Sequence, residues 1–223
     1  MPRTTRDQIT IEKSPSYFVS KDAPARLHKL MPDLPIRVIV TITEFAQSNE
    51  KRKRKRSLRQ PTFEELATVQ CVADTNASTC QGASIMRECA TEGADGRMIN
   101  SHWAAVRTSE FDRHLQNWLE HFNRSQIYFV DGENLIRNPA DEVAGVERFL
   151  GLASVVKPSH FVLDTTKGFP CVLRQGSSRP HCLGATKGRP HPSVDPGVLH
   201  LLDQHFDKHS KRFFALANRV FAW

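Results

Sequence analysis

Ile36-Arg-Val-Ile-Val-Thr-Ile42 is β-branched at every position but Arg37, and its apolar residues follow one another without alternating. Alternation marks a strand with one wet face, whereas a continuous apolar run suits a strand buried on both faces of a parallel sheet. A second run of this kind, Ile127-Tyr-Phe-Val130, leads into Asp131-Gly132, which reads as a turn. Before it, Phe111, Leu115, Trp118, Leu119 and Phe122 fall on one helical face and predict a helix over 109–122. After it, Pro139 opens a helix that runs to Leu150, with Val143, Val146, Phe149 and Leu150 on its expected buried face and Gly151 at its end. Helix, strand, turn, helix in that order is α/β architecture, a parallel sheet flanked by helices.

Working outward, 17–19 is β-prone, and 23–30 has helical character that Pro32 ends. The stretch 48–96 lacks periodicity apart from a short helix expected near 62–68, and it reads as a long, flexible surface excursion. A Gly/Pro-rich loop region covers 165–192, followed by amphipathic helices expected at 195–206 and 207–218. One domain over 1–223 suits this length, and no internal repeat is evident.

The charge is localised. The net charge of +7 comes from 31 Lys and Arg against 24 Asp and Glu. Seven of the cations are Lys51-Arg-Lys-Arg-Lys-Arg56 and Arg59, and removing them leaves 31 − 7 = 24, a neutral remainder. A protein that coats nucleic acid would spread its excess. The run could serve as a nuclear import signal or an electrostatic tether, but no aromatic interleaving or recognised DNA-binding motif accompanies it, and no nucleic-acid partner is expected. Nothing approaches the ~18–20 apolar residues of a membrane span, and the N-terminus has no signal-peptide core, so no anchor or targeting signal is expected within this chain.

Cys71, Cys80 and Cys89 are evenly spaced in a polar stretch, without the close C-x2-C pair of a zinc site, and no metal is expected. Cys171 and Cys182 bracket a Gly/Pro/Ser-containing loop and read as a disulfide, which needs an oxidising compartment. The sequons at Asn76 and Asn123 fit the same secretory route. Lys167-Gly168 and Lys187-Gly188-Arg189 each set a cation beside a glycine, so that backbone N–H groups can approach an anion closely. The plainer reading of each is a surface turn with solvated cations.

Several segments in order resemble one family: Glu12-Lys-Ser-Pro-Ser-Tyr-Phe18, Thr41-Ile-Thr-Glu-Phe-Ala-Gln47, Trp118-Leu119 with Ile127-Tyr-Phe-Val-Asp-Gly-Glu133, Leu135-Ile-Arg-Asn-Pro139, Lys167-Gly-Phe-Pro-Cys171, Ser177-Ser-Arg-Pro-His-Cys-Leu-Gly184, Lys187-Gly-Arg189 and Phe221-Ala-Trp223. They resemble the heparan sulfate glucosamine 3-O-sulfotransferases from about Ile9 to the C-terminus, with 48–96 matching poorly. The resemblance implies a P-loop-kinase-like α/β fold, the co-substrate 3′-phosphoadenosine 5′-phosphosulfate, the polysaccharide heparan sulfate as partner, and the Golgi as location. It places Thr43, Lys187, Gly188, Arg189, Pro190 and His191 on the donor nucleotide. Lys13, Ser14, Pro15, Ser16, Gln47, Trp103 and Lys167 fall on the polysaccharide cleft or transfer site, with Lys13 and Lys167 as possible catalytic support. Without the resemblance, Lys13 and Lys167 would be solvated lysines and Trp103 a core aromatic.

Two departures accompany the match. The family's first strand, Gly-rich phosphosulfate loop and acidic base would precede Gln8, where this chain has seven residues, so truncation is expected. Between Val40 and Thr41 the family's Arg-Asp-Pro turn, with an arginine on the 3′-phosphate, has no counterpart. Charge-assisted contacts of that kind are worth about 1.5–3 kcal/mol each, so the expectation is a sulfotransferase chain weak or inactive in transfer, or a heparan-sulfate-binding module without catalysis.

Overall fold

Two parallel strands organise the core. The computed structural model describes residues 5, 8–14, 16–30, 36–42, 61–74, 77–80, 96–166, 168–174, 176, 178–184 and 193–221, with 42, 71–74 and 77–80 described by backbone alone. In chain order α1 is Ala23–Leu30, β1 Val38–Ile42, α2 Phe63–Ala67, β2 Thr68–Asp74, β3 Ala77–Cys80, β4 Arg97–Ile99, α3 Ala104–Ser109, α4 Phe111–Leu119, β5 Ile127–Asp131, α5 Gly132–Arg137, α6 Pro139–Leu150, β6 Phe161–Asp164, β7 Phe169–Val172 and α7 Pro196–Ala217. β1 pairs in parallel with β5, running in register from Val38 opposite Ile127 to Ile42 opposite Asp131. β2 lies between β3 and β4 in an antiparallel sheet, and β6 and β7 form a hairpin.

Successive strand residues face opposite sides. Val40 and its register partner Phe129 point to the side covered by α4 and α7, where Leu115, Trp118, Phe122 and Phe213 close the core. Tyr128 points the other way and stacks on Phe149 of α6 at 5.2 Å. A Cβ at Gly145 would collide with the Tyr128 hydroxyl, so the close approach of α6 to β5 requires glycine there. Burial on both faces therefore belongs to β5. β1 alternates instead, with Val40 buried and Ile39 39% exposed, because α6 covers β5 rather than β1.

Local chemistry sets the ends. Thr62 accepts the Glu65 N–H while the Glu65 carboxylate accepts the Thr62 N–H, a capping box that starts α2. Asp131 does not enter a turn: its carboxylate caps α5 by accepting from the N–H groups of Glu133 and Asn134, both at 3.0 Å. Gly151, at φ 73°, ends α6 as expected. The half-buried Val143, Val146, Phe149 and Leu150 are not the deepest residues of α6; Ala140, Glu142, Gly145 and Glu147 are.

Three further expectations change. Residues 16–19 form a turn and not a strand. Residues 68–74 and 77–80 of the supposed excursion pair as strands; the pairing with β4 is tertiary and leaves no periodic trace in a polar sequence. The two C-terminal helices are one, α7, capped at Asp195 and closed by Asn218 in the left-handed conformation. α7 runs without interruption through the expected break at 206–207, and the Asp207–Lys211 ion pair, 2.8 Å long and one turn apart, supports the helix just after it. No helix of the described residues is long and apolar enough to cross a membrane.

Candidate functional site at the carboxyl edge of the parallel strands

In open α/β sheets ligands settle outside the carboxyl ends of the strands. Here β1 and β5 end together at Ile42 and Asp131. The edge is braced by Glu142, whose residue is 4% exposed. Its Oε2 accepts the Asp131 N–H at 3.1 Å, and its Oε1 accepts from Asn134 Nδ2 and Arg219 Nη2, each at 2.8 Å. Burial pulls this carboxyl upward, yet the hydrogen bonds from Asn134, Arg219 and Asp131 outweigh it and hold the group below its ordinary range. Arg219 also donates to the Phe129 carbonyl at 2.6 Å, so one guanidinium ties the C-terminal segment to β5 and α6.

The segment carrying Lys13, Ser14 and Ser16 is anchored from its far side. Trp118 Nε1 donates to the Phe18 carbonyl at 3.0 Å, and Asn117 Nδ2 donates to the carbonyls of Ser20 and Lys21. The Phe18 ring meets Phe129 edge-on at 6.4 Å. The Tyr17 hydroxyl donates to Glu12 at 2.8 Å, and that carboxylate raises the phenol above its ordinary value. Lys13 and Ser16 stay exposed on this anchored strip, and Ser14 is half-buried, an arrangement open to an anionic polymer. Trp103 stands elsewhere in the chain, half-buried at the start of α3 and edge-on to Phe63 at 5.4 Å. Its ring is thus a packing partner of α2 as well as a candidate contact. Pro15, Thr43, Gln47, Lys167, Lys187, Gly188, Arg189, Pro190 and His191 lie outside the described residues.

The Cys171–Cys182 disulfide is formed, with Cα atoms 4.4 Å apart. Val172 and His181 exchange backbone hydrogen bonds of 3.0 and 2.8 Å beside it, so the disulfide and an antiparallel bridge together tie the two ends of the loop. At the β6–β7 tip, Gly168 has φ 69° and its N–H donates to the Asp164 carbonyl at 2.8 Å. That donor closes the hairpin, so the Gly168 N–H is already committed and not left to an anion. Replacing both Cys171 and Cys182 by Ser frees an 11-residue separation in the unfolded chain. The expected loss is about 3 kcal/mol, read as a lower urea midpoint.

One constellation escaped the sequence reading. Glu110, Asp112, His205 and His209 meet between α4 and α7, and Glu110, Asp112 and His209 are buried. Its only sequence signals are a Glu-Phe-Asp at the start of α4 and two histidines four apart on α7.

A sulfotransferase domain family matches residues 72–214 of this chain. Over the whole chain it is 36% identical to human heparan sulfate glucosamine 3-O-sulfotransferase 3B1, covering 52% of that protein. It is 37% identical to mouse heparan sulfate glucosamine 3-O-sulfotransferase 6, covering 59%, and 33% identical to mouse heparan sulfate glucosamine 3-O-sulfotransferase 5. The chain thus spans about half the length of the curated relatives it matches. With helices packed on a parallel strand pair, a braced carboxyl edge and this match over most of its length, the chain belongs to the sulfotransferase domain family.

Proposed function

We propose that the chain acts in transfer of a sulfuryl group from 3′-phosphoadenosine 5′-phosphosulfate to the glucosamine 3-hydroxyl of heparan sulfate. The observation that carries this reading is the match over the entire chain to relatives named for that acceptor and position. In the reaction the acceptor oxygen bonds to sulfur and the bond from sulfur to the donor's phosphate oxygen breaks. The hydroxyl proton passes to a base and adenosine 3′,5′-diphosphate leaves. Thr43 and Lys187 to His191 are assigned to the donor, and Thr43 keeps a hydroxyl for its 3′-phosphate. Lys13 and Lys167 would offset charge on the equatorial oxygens and the leaving phosphate. Lys13, Ser14, Pro15, Ser16, Gln47 and Trp103 would line the acceptor cleft, and the cation run from Lys51 to Arg56 would add a polyanion contact near Gln47. The disulfide and the exposed Asn123 of the second sequon support a lumenal, Golgi-type setting.

The test is incubation with labelled donor and heparan sulfate, followed by disaccharide mapping. Weak label on the glucosamine 3-position is expected, since no 3′-phosphate arginine follows Val40, and Lys167→Ala should lower it at least tenfold further, in line with the loss of one charge-stabilising group. Absence of label would defeat the catalytic reading. A second reading, heparan sulfate binding without transfer, is favoured by one feature. β1 runs unbroken through Val40 and Thr41 in register with Phe129 and Val130, leaving no turn where the resemblance would put a 3′-phosphate arginine. It predicts retention on heparin with no label transferred, and calorimetric binding of adenosine 3′,5′-diphosphate weaker than low micromolar.

A further inference from the structure

Away from the strand edge, Glu110 at the start of α4 faces His205 and His209 on α7. The two histidines are four apart and so share one helical face. Glu110 is 3% exposed and His209 4%. Glu110 Oε1 lies 3.4 Å from His205 Nε2 and 3.7 Å from His209 Nε2, and the three atoms all fall within 4.8 Å of one another. Both Nε2 atoms are buried, and among the described residues neither has a hydrogen-bond partner. Buried polar atoms left in that condition are rare, because each costs about 1–3 kcal/mol.

The back of the site is already built. His209 Nδ1 lies 2.8 Å from Asp112 Oδ1, and Asp112 is fully buried. In a neutral imidazole whose Nδ1–H donates to a carboxylate at that distance, the Nε2 lone pair is left aimed at Glu110. The other Asp112 oxygen is 3.3 Å from Arg212 Nη1, and Glu110 Oε2 is 3.0 Å from Arg113 Nη1, so both carboxylates are held in orientation. A lone pair facing a carboxylate oxygen repels it unless a cation stands between. An ion with bonds of ~2.0–2.2 Å to two imidazoles and one carboxylate draws such atoms to about 3.3 Å, close to the 3.4 and 3.7 Å at which Glu110 Oε1 stands from the two histidines.

We propose that Glu110, His205 and His209 form a three-ligand site for a divalent transition metal of the zinc class, with Asp112 as the carboxylate that orients His209. Nitrogen and oxygen donors of this kind suit zinc, and a carboxylate behind a ligating histidine is the usual support. The site joins α4 to α7 on the face opposite α6, so its effect is to clamp the two helices together. Its mark in the sequence is a histidine pair at helical spacing, not a close pair of cysteines.

The test uses the whole chain, stripped with chelator and with free thiols alkylated so that Cys71, Cys80 and Cys89 cannot compete. Zinc chloride titrated by calorimetry should bind one ion per chain, and a hundredfold excess over Kd should raise Tm by roughly 5–10 °C. Cobalt(II) in its place should give the absorption of a tetrahedral or five-coordinate ion. Glu110→Gln and His205→Ala, each first shown to be folded by circular dichroism, should weaken zinc binding at least a hundredfold. Asp112→Asn should weaken it about 10–100-fold while keeping one ion per chain. No one-to-one uptake by the folded chain overturns the proposal. So does an affinity unchanged in both Glu110→Gln and His205→Ala, or uptake that disappears on alkylation alone.

Discussion

Glu142→Ala should lower stability by about 3–5 kcal/mol, the range expected when one partner of a buried charged pair is removed. Three donors lose their acceptor together: the Asp131 N–H, Asn134 Nδ2 and Arg219 Nη2. Arg219 keeps its bond to the Phe129 carbonyl, but its charge then stands uncompensated over the end of β5. Glu142→Gln keeps one acceptor oxygen and should cost less, about 1–2 kcal/mol. The pH dependence follows from the same group. The folded-state pKa of Glu142 is depressed, so its contribution is complete above the unfolded carboxyl pKa of about 4.3 and is lost as pH falls through the lower folded value. Urea midpoints measured from pH 7 downward should therefore fall in the acid range for wild type, and less steeply for Glu142→Gln. Equal acid slopes in the two proteins would remove Glu142 as the cause.

How much of this was legible before folding depends on whether a residue's role is local. β1, β5, α1, α4 and α6 each carry their own period, cap or breaker, and the sequence placed them closely. The division of 195–218 into two helices was unsupported by any Gly or Pro within α7 after Gly197, and the helix runs through. β2 was illegible over 68–70 because those residues pair with β4, more than two dozen residues away, while 71–74 pair with the adjacent β3 in a stretch whose polar composition carries no alternation. The buried charges were illegible for the same reason: Glu142 with Arg219, and Asp112 with His209, are joined only by tertiary packing. The candidate site was readable as resemblance alone. Thr43, Gln47, Lys167 and Lys187 to His191 belong to segments whose chemistry has no periodic signature, whereas Cys171 and Cys182 announced themselves through a covalent bond the structure contains.

Phe213→Ala should be the most damaging apolar truncation, at about 3–5 kcal/mol. The side chain is 1% exposed and sits where four parts of the fold meet. Its ring lies 5.8 Å from Phe111 at the start of α4, 5.2 Å edge-on from Phe129 of β5, 5.6 Å from Phe221 beyond α7 and 6.2 Å from its neighbour Phe214. Such ring pairs add about 0.5–1.5 kcal/mol each beyond area burial, and an alanine breaks all of them while leaving a cavity that strands and helices from both sides hold open. Phe213→Leu fills most of that space and should cost about 1–2 kcal/mol, since only the aromatic geometry and part of the volume are lost. Phe206, half-buried on the same helix and in edge contact with His205, gives the control: Phe206→Ala should cost about 1 kcal/mol. All three midpoints are readable by urea denaturation, with an unchanged slope if the chain still unfolds as one unit. A Phe213→Ala loss no larger than that of Phe206→Ala would mean that α7 does not bear on β5 as described. The joint burial of α4, β5 and α7 would then need another centre.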